Sequence, residues 1–165
     1  MDRWLINGEP GDRLAVTDRG LHYGDGLFET MAIRHGAPRF LQRHLKRLTE
    51  GCRRLFLPIP DENKILSEIA AILGGARSGT VKLIITRGSG PRGYRLPKDT
   101  TTSCILGFSA QVPDPQSNGV GGMKVMMCRT PAGINPLLAG LKTLNRLENV
   151  LARAEWQNKA VNEGL

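Results

Sequence analysis

Residues 26–56, GLFETMAIRHGAPRFLQRHLKRLTEGCRRLF, place two different periodicities side by side. The first part, GLFETMAIRHG, reads as a strand ending in a hairpin at His35-Gly36, with APRF returning beside it. After it, Leu41, Leu45, Leu48, Cys52, Leu55 and Phe56 recur at helical spacing and form one narrow apolar stripe. Arg43, Arg47 and Arg54 fall together on one flank, well off that stripe, and Pro58 and Pro60 stop the helix. A hairpin that runs straight into an amphipathic helix predicts an α+β fold: an antiparallel sheet with helices against it.

The neighbouring segments extend this pattern in both directions. Upstream, WLING and LAVTDRG read as short strands separated by the turn EPGDR, and HYGDG as a glycine-bracketed turn whose Asp25 binds the turn's own backbone. Downstream, Asp61 is the expected N-cap of a second helix running to Leu73 and closed by GGARSG. TVKLIITRG and TTTSCILGFSAQV are rich in β-branched residues and read as two more strands joined by a glycine-rich connection. These elements make residues 1–112 a complete N-terminal domain with two helices.

Residues 113–122, PDPQSNGVGG, have the composition of a linker. Beyond it, MKVMMCRTP reads as a strand, AGINPLLAG as loop, and Leu144, Leu147, Val150, Leu151 and Ala154 as the apolar stripe of a helix. Asn145 followed by Glu148 resembles a capping box that starts this helix near Asn145. One strand and one helix cannot bury a core of their own. Residues 123–165 are therefore expected to be a second domain only begun, and the chain a fragment of a longer protein.

Composition narrows the function. Of the 165 residues, 40% are hydrophobic and 23% charged, the balance of a soluble globular protein. No apolar run is long enough for a membrane span and no signal-peptide pattern opens the chain, so a cytoplasmic location without membrane attachment is expected. The net charge of +8 raises the question of nucleic acid. The basic residues are spread along the chain with one dense group at RHLKR and RR, however, and no aromatics interleave with them as a stacking platform requires. A small anionic substrate drawn into a basic cleft suits the same charge. Cys52, Cys104 and Cys128 are odd in number and far apart, with no histidines at ligand spacing, so buried free thiols are expected and no metal site.

Several motifs allow two readings each. RGSGPRG satisfies G-x-G-x-x-G at Gly88, Gly90 and Gly93, but YRLPKDTTT follows where a dinucleotide site needs a helix, and Pro91 removes one amide. What remains is a flexible hairpin loop or an active-site loop. His44, at the edge of the helix stripe, reads as a packing or supporting residue. Asp25 and Glu29 lie on a turn and a strand and do not share a helix face, so a carboxylate-pair hydrolase has little support. The arginine flank is either a solvated helix face or a grip for an anion such as phosphate. Lys142, between Gly140 and the last helix, is either a surface lysine or an amine desolvated in a cleft and able to form a Schiff base.

Four separated stretches, LAVTDRGLHYGDGLFET, FLQRHLKRL, TRGSGPRGYRLP and LAGLKTLNRLENVLAR, together resemble the aminodeoxychorismate lyases. These belong with the branched-chain and D-amino-acid aminotransferases among the fold-type IV pyridoxal-phosphate enzymes. The resemblance covers essentially the whole chain in order. It implies that Lys142 is the lysine that bonds covalently to pyridoxal 5'-phosphate, that Arg47 grips the cofactor phosphate, and that Arg92 and Tyr94 lie on a substrate-side loop. The implied reaction converts 4-amino-4-deoxychorismate to 4-aminobenzoate and pyruvate in folate biosynthesis, in a cytoplasmic homodimer. The family's glutamate that pairs with the pyridine nitrogen would lie past Leu165, so the chain alone is expected to be inactive. A fold-type IV aminotransferase is the nearest alternative, and a non-catalytic basic binding module is the alternative from another class.

Overall fold

In the strand β3 (Gly26–Arg34), Leu27, Glu29, Met31 and Ile33 are buried while Thr30 and Ala32 are exposed. That is the two-residue alternation of a sheet with one covered face. The computed structural model of the protein describes residues 3–111 and 122–165. The hairpin after β3 forms as expected. His35 and Gly36 take positive φ of 54° and 84°, and β4 (Ala37–Pro38) returns with Ile33 opposite Pro38. Two successive left-handed residues give the turn whose twist matches the strands it joins.

The helix α2 (Leu41–Arg54) buries Leu45, Leu48, Gly51 and Cys52. At Gly51 a Cβ would stand 2.6 Å from Leu27 Cδ1, so the glycine allows the helix to approach β3 closely. The stripe ends at Leu55, which packs against the core. Phe56, expected to continue it, has φ of 54° and is 77% exposed, because the left-handed residue swings it off the helix. The helix α3 (Glu62–Leu73) starts at the expected cap. The Asp61 carboxylate accepts from the Asn63 and Lys64 amides at 2.8 and 3.4 Å, and Gly74 ends the helix with φ of 51°.

Two long strands complete the sheet, β5 (Ser78–Thr86) and β6 (Ser103–Ser109), with β1 (Arg3–Ile6) and β2 (Glu9–Pro10) at the far side. The six strands are antiparallel in the order β2-β1-β6-β5-β3-β4. Residues of β3, β5, β6, α2 and α3 share one core, in which Val81, Leu83, Ile85, Met31, Ile33 and Leu106 are completely buried. The α+β class and the antiparallel sheet with two principal helices are as the sequence predicts.

The stretch LAVTDRG departs from expectation. It forms a turn leading into a one-turn helix, α1 (Arg19–Tyr23), in place of a strand. Asp18, fully buried, caps α1 at the Gly20 amide and also accepts from Thr86 Oγ1 and Ser103 Oγ, each at 2.8 Å. These side-chain bonds tie the segment to the ends of β5 and β6 and replace the ladder a strand would have made. Among the thiols, Cys52 is fully buried and pushed up to about 11 by burial. Cys104 and Cys128 are only half-buried, against expectation.

The chain divides into two compact units. The first is residues 1–112 together with Gly140–Leu144, a segment assigned to the second region by sequence. The second holds the rest of 113–165. The linker expected at 113–122 lies outside the described residues except for Gly122. In the second unit the strand expected in MKVMMCRTP is only β7 (Val125–Met126), paired in parallel with β8 (Glu163–Gly164). The helix α4 (Leu147–Ala154) begins one residue later than the capping box predicts, with Arg146 in place of Asn145 at the cap and without a side-chain cap bond. Glu148 instead accepts the Gly133 amide at 2.9 Å. Leu147, Val150 and Leu151 of the expected stripe are exposed, and Trp156 is the buried hydrophobic side chain among the described residues of this unit.

Glu155 organises this smaller unit. Its carboxylate accepts from the Arg129 and Thr130 amides at 2.8 Å each and from Thr130 Oγ1 at 2.6 Å. The backbone bond from Arg129, then the hydroxyl and amide of Thr130, bring its carboxyl down to about 2.

Leu83→Ala removes buried methyl groups from the central strand, and chemical denaturation should show a loss of about 2–5 kcal/mol. Because Glu155 is lowered in the folded state, its contribution is present above the ordinary carboxylate pKa of 4.5 and is lost as the pH falls from there toward about 2. Amide exchange of Arg129 and Thr130 should accelerate over that window, and Glu155→Gln should already show the faster exchange at neutral pH.

Candidate functional site

The outer edge of β3 is covered by β4 only at Ile33 and Arg34. Along the first residues of that edge runs the segment Leu141–Leu144. The Phe28 amide donates to the Lys142 carbonyl at 2.9 Å, and the Leu144 amide donates to the Gly26 carbonyl at 3.1 Å. Leu27 and Thr143 stand opposite each other as an antiparallel bridge. A strand edge leaves its amides and carbonyls seeking partners, and this segment supplies them. Gly140, with φ of 79°, turns the chain into it.

Lys142 is therefore set by a sheet edge and lies ahead of the helix by more than the sequence suggests. It is half-buried, with Nζ 4.2 Å from the centroid of the Phe28 ring. Lys82 Nζ stands 5.3 Å from the same ring. The ring's negative face attracts the ammonium and gives the flexible side chain a defined resting place.

One residue along β3 is Glu29, only 1% exposed. Arg47 grips it through both edge donors, Nε to Oε1 at 2.6 Å and Nη2 to Oε2 at 2.5 Å. His44 Nδ1 meets Oε2 at 2.7 Å. Burial works against the Glu29 charge, but the hydrogen bonds from Arg47 and His44 outweigh it and hold the carboxyl below its ordinary range. The same bonds raise Arg47. Arg47 is thus more than a solvated arginine: one edge of its fork is tied to β3, while its side chain remains 46% exposed. Arg43, from the same flank, has its guanidinium over the Phe40 ring at 5.4 Å.

The glycine loop is held by a second set of buried charges. Arg87 donates to Asp25 through Nε and Nη2 and to the Phe56 and Leu55 carbonyls through Nη1 and Nη2. Arg19 donates to Asp25 at 2.9 Å and to the Gly93 carbonyl at 2.8 Å. Asp25 therefore does not bind its own turn, as its sequence context suggests. Two arginines claim its carboxylate, and although burial opposes its charge, their bonds hold it below its ordinary range.

These contacts pin residues 87–93 against α1. The Gly93 amide donates to Tyr23 Oη at 2.9 Å, and the Tyr94 ring packs edge-on against Tyr23 with centroids 5.4 Å apart. A cavity of about 710 Å³ opens there, lined by Arg19, His22, Tyr23, Arg92 and Tyr94 among others. No helix follows the glycines, and at Gly88, with φ of 78°, a side chain would collide with the Thr101 carbonyl. The loop reading holds and the dinucleotide reading does not.

Of the residues singled out by sequence, Lys142 and Arg47 both reach β3, at Phe28 and Glu29, whose side chains leave the strand on opposite faces, whereas Arg92 and Tyr94 line the separate loop cavity. Glu29 was legible only as half of an unconvincing carboxylate pair. A charged residue at an inward position of an alternating strand was the available signal, since a buried carboxylate needs a partner. No group of three or more metal-binding side chains occurs among the described residues.

Gly26 permits the close approach of the β5 backbone and, beside it, of Leu144 from the Lys142 segment. A Cβ there would strike the Ile85 carbonyl oxygen and stand 2.8 Å from Leu144 Cδ1. Gly26→Ala should therefore strain the Gly26–Thr86 end of the β3–β5 pairing and loosen the segment beside it, seen as amide exchange at Phe28 and Leu144 accelerated by about 10-fold or more, with exchange at Val81 and Leu83, farther along β5, much less changed.

Comparison with known proteins places this geometry in a family. The model of amino-transferase class IV matches residues 26–165. An aminodeoxychorismate lyase of Vibrio harveyi is 35% identical over 153 residues, covering 91% of this chain and 55% of the relative. A D-alanine aminotransferase of Listeria monocytogenes is 31% identical, covering 87% of this chain and 51% of the relative. The crystal structure of 4-amino-4-deoxychorismate lyase from Pseudomonas aeruginosa superposes with a TM-score of 0.90 at 48% identity, over all of this chain and 60% of that one. The chain thus spans about half the length of the curated relatives it matches. By its family match and its fold, the chain belongs to the class IV aminotransferases, the fold-type IV pyridoxal-phosphate enzymes.

Proposed function

We propose that this chain supplies the lysine and one phosphate grip of an aminodeoxychorismate lyase, which converts 4-amino-4-deoxychorismate to 4-aminobenzoate and pyruvate. The observation that carries it is the placement of Lys142. Its backbone is bonded into the edge of β3 and its amine is held over Phe28, on the same strand whose next residue, Glu29, ties Arg47 from the opposite face of the sheet. Similarity to the lyases of P. aeruginosa and V. harveyi supports the choice of reaction.

The residues fit pyridoxal 5'-phosphate, whose aldehyde needs an amine and whose phosphate needs a cation. Lys142 offers the first, half-buried at the sheet edge; Arg47 offers the second, with Nη1 and the far side of Nη2 turned away from Glu29. When bound, the cofactor supplies an electron sink for a carbanion. In this role Lys142 Nζ, once neutral, takes the proton from the substrate carbon that bears the amine. The ring over which the amine rests limits its excursions, so the base starts near its task. Arg47 holds phosphate as a planar donor fork. Arg92 and Tyr94, beside the loop cavity, are proposed to meet the substrate, a dicarboxylate that suits a chain of net charge +8. Loss of the enolpyruvyl group as pyruvate leaves an aromatic ring, and that aromatisation supplies driving force.

An aminotransferase is the second reading, favoured by the similarity to D-alanine aminotransferase. It would use the same lysine and the same grip on phosphate. Pyruvate release from 4-amino-4-deoxychorismate, measured against amino transfer from D-alanine to 2-oxoglutarate, separates the two. A cytoplasmic homodimer belongs to the same proposal, and sedimentation of the native protein tests the dimer. Among the described residues no helix is long and apolar enough to cross a membrane.

Incubation with pyridoxal phosphate followed by borohydride should leave the cofactor's mass on the peptide containing Lys142. Lys142→Ala should abolish that label and lower any lyase turnover by about 10²-fold or more. Labelling unchanged in the variant would remove the basis of the proposal.

A further inference from the structure

We propose that Glu29 is a positioning residue for the cofactor phosphate, acting by fixing the plane and direction of the Arg47 guanidinium. This deepens the proposed function and rests on Arg47 being the phosphate grip.

The first ground is where Glu29 stands. It shares the inward register of β3 with Leu27, Met31 and Ile33, all buried hydrophobics. A leucine or methionine there would fill the core at no electrostatic cost, whereas a buried carboxylate is costly and often no more stabilising than its apolar replacement. The carboxylate thus needs a reason other than stability.

Geometry supplies the reason. A guanidinium is flat, and two parallel bonds to one carboxylate set its plane as well as its position. Glu29 takes the Nε–Nη2 edge of Arg47 through both of its oxygens. His44 Nδ1 also meets Oε2, so a third contact holds the carboxylate itself. Glu29 does not use the rest of the fork, and the arginine side chain is 46% exposed. An arginine set in place by the fold need not lose its conformational freedom when the anion arrives. The chain of contacts runs from a β-strand through a fixed carboxylate to the donor.

Charge argues in the opposite direction, and this makes the proposal decidable. A carboxylate beside an anion site repels the anion, so if its charge dominated, removing it would tighten phosphate binding. If positioning dominates, removal loosens it. The sign of one measurement separates the two.

The experiment compares dissociation constants for pyridoxal phosphate and for pyridoxal, which lacks the phosphate, in the wild-type protein, Glu29→Gln, Arg47→Ala and the double variant. Glu29→Gln should weaken pyridoxal phosphate by about 10-fold or more, leave pyridoxal unchanged, and add nothing once Arg47 is absent. A general structural defect would weaken both ligands alike. Equal weakening of both, or unchanged or tighter binding of pyridoxal phosphate by Glu29→Gln, overturns the proposal. If Arg47→Ala itself leaves the preference for the phosphorylated ligand intact, the grip assigned to Arg47 fails first and the role of Glu29 fails with it. Should Glu29→Gln not fold, Glu29→Asp keeps the charge but draws the carboxylate back by one methylene. It should show a smaller loss confined to pyridoxal phosphate, and no loss, or one shared with pyridoxal, overturns the proposal equally.

Discussion

The position of Lys142 depends on how the edge of β3 is closed. Gly26 and Phe28 need hydrogen-bond partners beyond the reach of β4, and residues 142 and 144 provide them. An unpaired edge would expose the strand to water or to another chain. Closing it with a segment more than a hundred residues away in sequence brings an amine to a sheet that would otherwise be only a scaffold. The two backbone bonds determine the position of Lys142, and the Phe28 ring limits where its side chain rests.

A second constraint is the handling of buried charge. Glu29 and Asp25 are inserted at opposite ends of one short stretch, GDGLFE, and each is matched by arginine. Glu29 meets Arg47 of α2 and Asp25 meets Arg87 and Arg19. A carboxylate removed from water is tolerable only with such partners. In both cases the partner does more than neutralise. Arg87 reaches the carbonyls of Leu55 and Phe56 at the end of α2, and Arg19 holds the carbonyl of Gly93, so the charge network also sets where the helix ends and how the loop lies. The same folded arrangement thus fixes one edge of Arg47 and orders the glycine loop.

The outlines of the fold were legible because their signals are local. The Asp61 cap and Gly74 terminus of α3, the His35-Gly36 hairpin and the inward alternation of β3 each involve residues within a few positions of one another. Elements whose form depends on distant partners were misread. LAVTDRG became a turn and a short helix because Asp18 bonds to Thr86 and Ser103, and the capping glutamate expected at 148 serves Gly133. Phe56 left its stripe through a single left-handed residue, which periodicity does not register.

By itself the sequence determined the α+β class, the two main helices and, through the order of four motifs, the resemblance that singles out Lys142 and Arg47. Those are properties of neighbouring residues and of residue types at set intervals. Only the tertiary structure decided that Lys142 belongs to the edge of β3, that Arg47 spends one face of its fork on Glu29, and that His44 supports the same carboxylate. The reason is that a hydrogen bond depends on distance and direction in space, and the chain brings residues 15 to more than 100 positions apart within bonding reach only once it has folded.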